Sequence, residues 1–136
     1  MYNAQAGSLK FWGYGRRVLA DTDGETLDGV QDIHTVHTNE GASAEVVFTL
    51  PDAQPAPLGR TYTFVVQDTD GIQITAATGD TIAYTPSTAT NWYDISVTAA
   101  AGSIQSTTAG SSITLVCING AEWVAISQTG DWVVGP

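Results

Sequence analysis

The chain has 136 residues, a mass of 14.2 kDa and 14 acidic against 4 basic residues, which gives a formal net charge of −10 at pH 7. This size suits one compact domain, and the negative charge repels phosphate backbones, which argues against nucleic-acid binding. No apolar run approaches the roughly 20 residues that cross a bilayer, so we expect neither a membrane partner nor a secretory signal peptide.

The first 30 residues predict an extended N-terminal arm followed by an acidic connector. The arm contains "KFWGYGRR", which joins large rings to three of the four basic residues, and the connector "ADTDGETLDG" is rich in turn formers. Rings exposed on an arm favour docking on a partner, and their basic neighbours favour an acidic one. A solvated tail is the equal alternative. The predicted contact residues are Lys10, Phe11, Trp12, Tyr14, Arg16 and Arg17.

Residues 31–136 predict an all-β domain, a single-domain jelly-roll-like β-sandwich. Short runs rich in valine, isoleucine, threonine and aromatic residues alternate with turn formers, and no window has a helical period. The stretch "LPDAQPAPLGR" is predicted to be a surface loop because it holds three prolines. The predicted strands are Ile33–Thr38, Glu45–Leu50, Thr61–Gln67, Ile72–Ala76, Thr81–Tyr84, Tyr93–Ala99, Ser112–Ile118, Glu122–Gln128 and Trp132–Val134.

Three of the turns between these strands have recognisable sequences. Asn119-Gly120 predicts a hairpin with a type I′ turn, which needs positive φ at both central positions. "QDTDGI" predicts a second hairpin turn at Asp70-Gly71, and "QTGDW" connects the last two strands.

The hairpin from Ser112 to Ser127 is apolar on both faces, which is unusual for a small antiparallel sheet with one face in water. One face can pack on the second sheet of the domain, and the other on symmetry mates around a three-fold axis. The alternative is a hairpin buried on both sides inside a single sandwich.

Residues with potential chemistry are few. Cys117 stands alone within an apolar run and is expected to be a small buried hydrophobe. His34 and His37 point to opposite faces of one predicted strand, so they do not form a metal site together. The acidic side chains Asp21, Asp23, Glu25 and Asp28 do not have calcium-loop spacing, and a solvated turn is favoured over a cation site. We predict no enzyme, no metal and no cofactor.

Aromatic residues also provide stacking faces for sugars. Trp92 and Tyr93 follow the polar loop "STATN" and form the candidate ligand loop, whereas Trp123 and Trp132 belong to predicted strands.

The stretch from about Asn39 to Val134 resembles a structural module of tailed-bacteriophage virion proteins. The pieces that carry the resemblance are, in order, "TNEGA", "VVFTLP", "YTFVVQ", "IQI", "GDTI", "AGSSITLVCINGAEWVAIS" and "TGDWV". The family resembled is a β-rich trimeric module of head decoration (cement) proteins and of the ends of head or tail fibres. The first 30 residues do not match it and leave the attachment site open.

The resemblance implies a homotrimer that binds the major capsid protein through its arms, clamps neighbouring capsomers and stabilises the head. Such a protein is made in the host cytoplasm and resides on the outer capsid surface of the virion. The short arm favours decoration over a fibre. The alternative is a fibre tip or adhesion module that binds host glycans. The expected trimer interface comprises Ile113, Leu115, Val116, Ile118, Trp123, Val124 and Ile126.

Overall fold

A computed structural model describes residues 18–27, 35–54, 59–86 and 99–136, and it contains strands and no helix in these ranges. The strands are β1 (Val18–Ala20), β2 (Glu25–Thr26), β3 (Val36–Thr38), β4 (Val46–Thr49), β5 (Thr61–Val65), β6 (Ile72–Thr75), β7 (Thr81–Tyr84), β8 (Ala99–Ala101), β9 (Ser103–Ser106), β10 (Ser112–Asn119), β11 (Glu122–Thr129) and β12 (Val133–Val134). The predicted all-β class is confirmed.

The strands form two sheets that face each other. The first has seven strands in the order β1-β3-β5-β10-β11-β7-β8, and the second has five in the order β12-β9-β6-β4-β2. Both sheets supply side chains to one core, as in a sandwich. The strand order, which the sequence left open, mixes parallel and antiparallel neighbours.

The first half of the fold winds from one sheet to the other. β1, β3 and β5 are parallel neighbours in the first sheet, and β2, β4 and β6 are parallel neighbours in the second. Parallel neighbours need a crossover, and here each crossover runs through a strand of the opposite sheet. The predicted hairpin at Asp70-Gly71 is therefore wrong. Gly71 N does donate to Asp68 O at 3.0 Å, but this turn carries the chain from β5 to β6 across the core.

Aromatic rings from both sheets meet in the core. His37 and Phe64 of the first sheet lie 5.2 Å and 5.3 Å from Phe48 of the second, measured between ring centroids. At the other side of the core Tyr62 packs 5.5 Å from Trp123. Trp132 is also fully buried, and its indole N–H donates to Ser112 O and Thr129 O. The contacts of Phe48 with His37 and Phe64 pack the second sheet against the first.

Three short strands were not predicted. β1 and β2 lie partly in the region predicted to be an irregular connector, where Leu27 is 2% exposed in the core. β9 has the sequence "SIQS". Such strands carry little apolar pattern, so their hydrogen-bonded neighbours define them. The predicted strand Tyr93–Ala99 falls almost wholly outside the described residues, and so does His34.

The hairpin at residues 112–129 is confirmed, but its turn differs from the prediction. Asn119 pairs with Glu122, so Gly120 and Ala121 occupy the two central positions. Gly120 is not among the glycines with positive φ, which excludes the predicted type I′ turn. Asn119 shapes the turn instead, because its Oδ1 accepts a hydrogen bond from Ala121 N at 2.8 Å.

Candidate functional site

The inward side of the β10–β11 hairpin belongs to the core of the protein. Ile113, Leu115 and Trp123 are at most 1% exposed. A partner that docks on the protein surface does not reach them, so these three residues are removed from the expected trimer interface. The other four interface residues point away from the core.

The outward side of the hairpin is apolar and accessible. Val116 and Val124 are half-buried and form a cross-strand pair. Ile118 is 50% exposed and Ile126 is 60% exposed. Each of these isoleucines lies at a shift in the pairing register, where one strand has a residue without a partner opposite it. Such bulges change the direction in which side chains point, which explains why these two isoleucine side chains are exposed to solvent.

Hydroxyl-bearing residues continue this surface onto the neighbouring strands. Thr63 and Thr114 lie side by side with their Oγ1 atoms 2.9 Å apart. Outward side chains of the described central strands are uncharged apart from Glu122 at the end of the hairpin. We call the following set the outer face: Thr61, Thr63, Val65, Ser112, Thr114, Val116, Ile118, Val124 and Ile126. The threonines were missed, although the alternation in "TYTFVV" already separates them from the buried aromatics.

The tip of the hairpin is held by polar contacts. Gln54 Nε2 donates to Gly120 O at 3.0 Å, and Asn119 Nδ2 donates to Glu122 Oε2 at 3.3 Å. The Cys117 thiol donates to Asn119 O at 3.2 Å. Burial raises the pKa of this thiol, the nearby Asp80 carboxylate adds to the rise, and the bond to Asn119 opposes it. Cys117 is thus a buried thiol, as predicted.

Acidic residues collect at one end of the sandwich. The connections that follow β1, β3 and β5 lie side by side there, because these strands are parallel neighbours. β10 runs antiparallel to β5 and β11, so the turns before β10 and after β11 lie at the same end. These connections hold half of the 14 acidic residues, and we call them the acidic end: Asp21, Asp23, Glu40, Glu45, Asp68, Asp70 and Asp131.

Asn39 joins two of these connections. Its Oδ1 accepts from Gln67 N and Asp68 N at 2.8 and 2.9 Å. Its Nδ2 donates to Asp68 O and Gly71 O at 2.8 and 3.1 Å. The side chain is fully buried, so every polar group that it brings into the interior is satisfied.

The first part of the acidic connector forms a turn that Asp21 closes. Asp21 Oδ1 accepts hydrogen bonds from Asp23 N at 2.9 Å and Gly24 N at 2.8 Å, which closes the turn locally. The described residues contain no group of three or more side chains placed to hold a metal ion. Asp28 lies outside the described residues.

His37 lies in the core rather than on a surface. Its ring is fully buried between Phe48 and Phe64, and its Nδ1 is 3.7 Å from Glu25 Oε1. Glu25, at the edge of the second sheet, therefore points inward to meet it.

The outward face of the second sheet carries two neutral rows. Thr26, Thr49, Thr75 and Ser103 are successive cross-strand neighbours on β2, β4, β6 and β9. The adjacent row contains Gln73 and Gln105 between two valines that are each 39% exposed, Val47 and Val133. We call these two rows the hydroxyl face.

The predicted arm residues from Lys10 to Arg17 lie outside the described residues, as do Trp92 and Tyr93. The sequence predictions for the arm and for the candidate ligand loop therefore stay predictions.

No model of a known protein family matches the chain, and no curated protein matches it. In the part of the chain that the structure describes, no helix is long and apolar enough to cross a membrane.

Proposed function

We propose that this protein is a structural component of a tailed-phage virion that decorates the outer capsid surface as a homotrimer and stabilises the head. The observation that carries the proposal is the outer face, which exposes two isoleucines on a chain of net charge −10. Exposed apolar surface of this kind favours a protein contact.

Charge favours a second copy of the same chain as the occupant of this face. Two chains with ten excess negative charges repel each other wherever carboxylates meet. The acidic end lies on the connections between strands, whereas the outer face lies on the strands themselves. Contact through the outer face therefore brings copies together with few like charges opposed, and a cyclic arrangement closes the assembly.

The oligomeric state tests this interface. Ile126→Asp places a charge on the outer face and should convert the trimer into monomers in size-exclusion chromatography with light scattering. Val134→Asp is the matched control, because Val134 is also 60% exposed but lies on the edge strand β12 of the other sheet. A wild-type monomer, or equal effects of the two variants, contradicts the interface.

Capsid binding tests the arm separately. Removal of residues 1–17 should leave the trimer intact and abolish its binding to capsids, since the predicted contact residues are basic and aromatic. Three arms on one trimer gain affinity through effective concentration. A truncated protein that still decorates capsids contradicts the role of the arm.

The hydroxyl face favours a second candidate, an adhesion module at a head or tail fibre tip that binds host glycans. Threonine hydroxyls and glutamine amides both donate and accept hydrogen bonds, as sugar hydroxyls require. A glycan array measures this directly. Binding that Thr49→Val abolishes supports adhesion, and an array without binding removes this candidate.

A further inference from the structure

We infer that the hairpin tip is a site of spontaneous chemical modification, at which the side-chain amide of Asn119 is lost through attack by the backbone nitrogen of Gly120. The product is a mixture of aspartate and isoaspartate at position 119. The inference goes beyond the proposed function and does not depend on it.

The nucleophile is accessible. Gly120 has no side chain to hinder approach to its own nitrogen, and among the described residues no backbone or side-chain hydrogen bond holds its N–H. Its carbonyl group, in contrast, is anchored by Gln54 Nε2 at 3.0 Å. The turn therefore anchors the Gly120–Ala121 peptide unit, whereas the nitrogen of the Asn119–Gly120 unit has no hydrogen-bond acceptor among the described residues.

The electrophile is activated by the same turn. Ala121 N–H donates to Asn119 Oδ1 at 2.8 Å. This donor stabilises the negative charge that develops on Oδ1 when Gly120 N adds to Asn119 Cγ, as the donors of an oxyanion hole do. The leaving nitrogen, Nδ2, donates a hydrogen bond to Glu122 Oε2 at 3.3 Å, which fixes the orientation of the amide.

The reaction needs only water. A bond forms between Gly120 N and Asn119 Cγ, the bond from Cγ to Nδ2 breaks, and ammonia leaves with the proton from Gly120 N. The resulting five-membered imide is hydrolysed by one water molecule at either carbonyl. Opening at the side-chain carbonyl gives aspartate, and opening at the backbone carbonyl gives isoaspartate, in which the main chain passes through the former side chain.

The product should loosen the hairpin tip. A carboxylate at position 119 replaces the amide that donates to Glu122, so two negative charges face each other. In isoaspartate the backbone carbonyl of residue 119, which accepts a hydrogen bond from the Cys117 thiol, is also displaced. Conversion therefore adds charge at the margin of the outer face and, in isoaspartate, removes the acceptor of the Cys117 thiol, which should make this thiol easier to reach.

Peptide mapping by mass spectrometry tests the inference on the folded full-length protein after incubation in mildly alkaline buffer. We expect the peptide with Asn119 to gain the mass of OH in place of NH2 and to split into two chromatographic peaks. Labelling of Cys117 by a thiol reagent should rise in step. The peptide with Asn39 is the internal control, because that amide is buried with four hydrogen bonds and should not react.

Two comparisons make the test decisive. In Gly120→Ala a Cβ would meet only the end of the flexible Gln54 side chain, its Nε2 and Cδ, which can move aside. The variant should therefore fold and lose most of the mass gain. The folded wild type should react at least as fast as the same chain unfolded in urea, because the turn activates the amide. A folded protein in which Asn119 stays intact while the unfolded chain reacts overturns the inference.

Discussion

Asn39 is the single side chain on which the acidic end depends most. Its four hydrogen bonds use both acceptor positions of Oδ1 and both protons of Nδ2. They join the connection after β3 to the connection after β5, although the bonded residues are 28 to 32 positions apart in the sequence.

Asn39→Ala is expected to lower the free energy of unfolding by about 2–4 kcal/mol, because the partly buried N–H groups of Gln67 and Asp68 lose their acceptor. Asn39→Asp keeps the two acceptor contacts but sets a carboxylate against two carbonyl oxygens, so it should also destabilise. Urea unfolding measures both. The exposed Ser127→Ala is the control, and an Asn39→Ala variant as stable as that control contradicts this role.

Tyr84 differs from Asn39, whose buried polar atoms all have hydrogen-bond partners. Its hydroxyl is buried and has no hydrogen-bond partner among the described residues, and burial raises its pKa. Tyr84→Phe removes the unsatisfied group and keeps the ring, so the unfolding free energy should stay the same or rise by about 1 kcal/mol. A loss of stability in thermal unfolding indicates that the hydroxyl has a partner.

The Cys117 thiol predicts a pH dependence of stability. Because folding raises its pKa, the unfolded chain ionises first as the pH increases. Its contribution is therefore complete below the ordinary thiol pKa and is lost as the pH rises through the raised value of the folded state. Urea unfolding across the alkaline range should show a steeper decline for the wild type than for Cys117→Ala. Equal slopes contradict the prediction.

At the scale of elements, the winding of β1 to β6 brings the connection after β1 against the backbone of β4. Gly24 has a φ of +80°, and a Cβ there would lie 2.3 Å from Val47 O. Gly41 has nearly the same φ, +81°, but a Cβ there meets nothing within 4 Å. Both glycines thus adopt a left-handed backbone conformation, but only Gly24 is also required by close packing.

Alanine at these two positions tests this difference. Gly41→Ala should cost about 1 kcal/mol, the penalty of a left-handed conformation alone. Gly24→Ala should cost clearly more, because the clashing atom belongs to the backbone of β4 and cannot move aside. Urea unfolding compares them, and equal losses show that β2 can shift without cost.

Sequence patterns predicted the strands whose side chains alternate between core and solvent. β5, with buried Tyr62 and Phe64 between threonines, and β10, with buried Ile113 and Leu115, are examples. β2 and β9 escaped prediction because two exposed residues, or the run "SIQS", carry no such alternation. Pairing with β4 and β6 makes them strands, and pairing partners are not visible in one sequence.

The candidate site was predictable in part for the same reason. Alternation along the hairpin separated the buried set from the exposed set. It correctly placed Val116 and Ile118 on one face of β10 and Ile113 and Leu115 on the other face. It did not predict the bulges that expose Ile126, nor the adjacent threonines of β5, because both depend on how β10 is registered against its neighbours. The acidic end was also missed, since it arises from stacking of connections that are distant in sequence.

At the scale of the whole molecule, charge is segregated from the sheet faces. Half of the carboxylates lie at the acidic end, on connections that contain no lysine or arginine. Like charges on stacked loops repel. At 0.1 M ionic strength dissolved salt largely screens this repulsion between exposed groups that are more than about 10 Å apart. This segregation leaves both sheet faces available for neutral contacts. It also means that like-charge repulsion destabilises the fold at the acidic end.

Stability should therefore rise with salt concentration. The midpoint of thermal unfolding is expected to increase from low salt to moderate sodium chloride, since screening relieves the acidic end more than it weakens the few opposite-charge contacts. Asp70→Asn should raise the free energy of unfolding at low salt by a few tenths of a kcal/mol, and with it the midpoint, and it should reduce the salt slope. Asp52→Asn is the matched control, an exposed aspartate on the connection after β4 at the opposite end. If the two variants change the slope equally, the effect follows net charge alone, and the stacked connections carry no special repulsion.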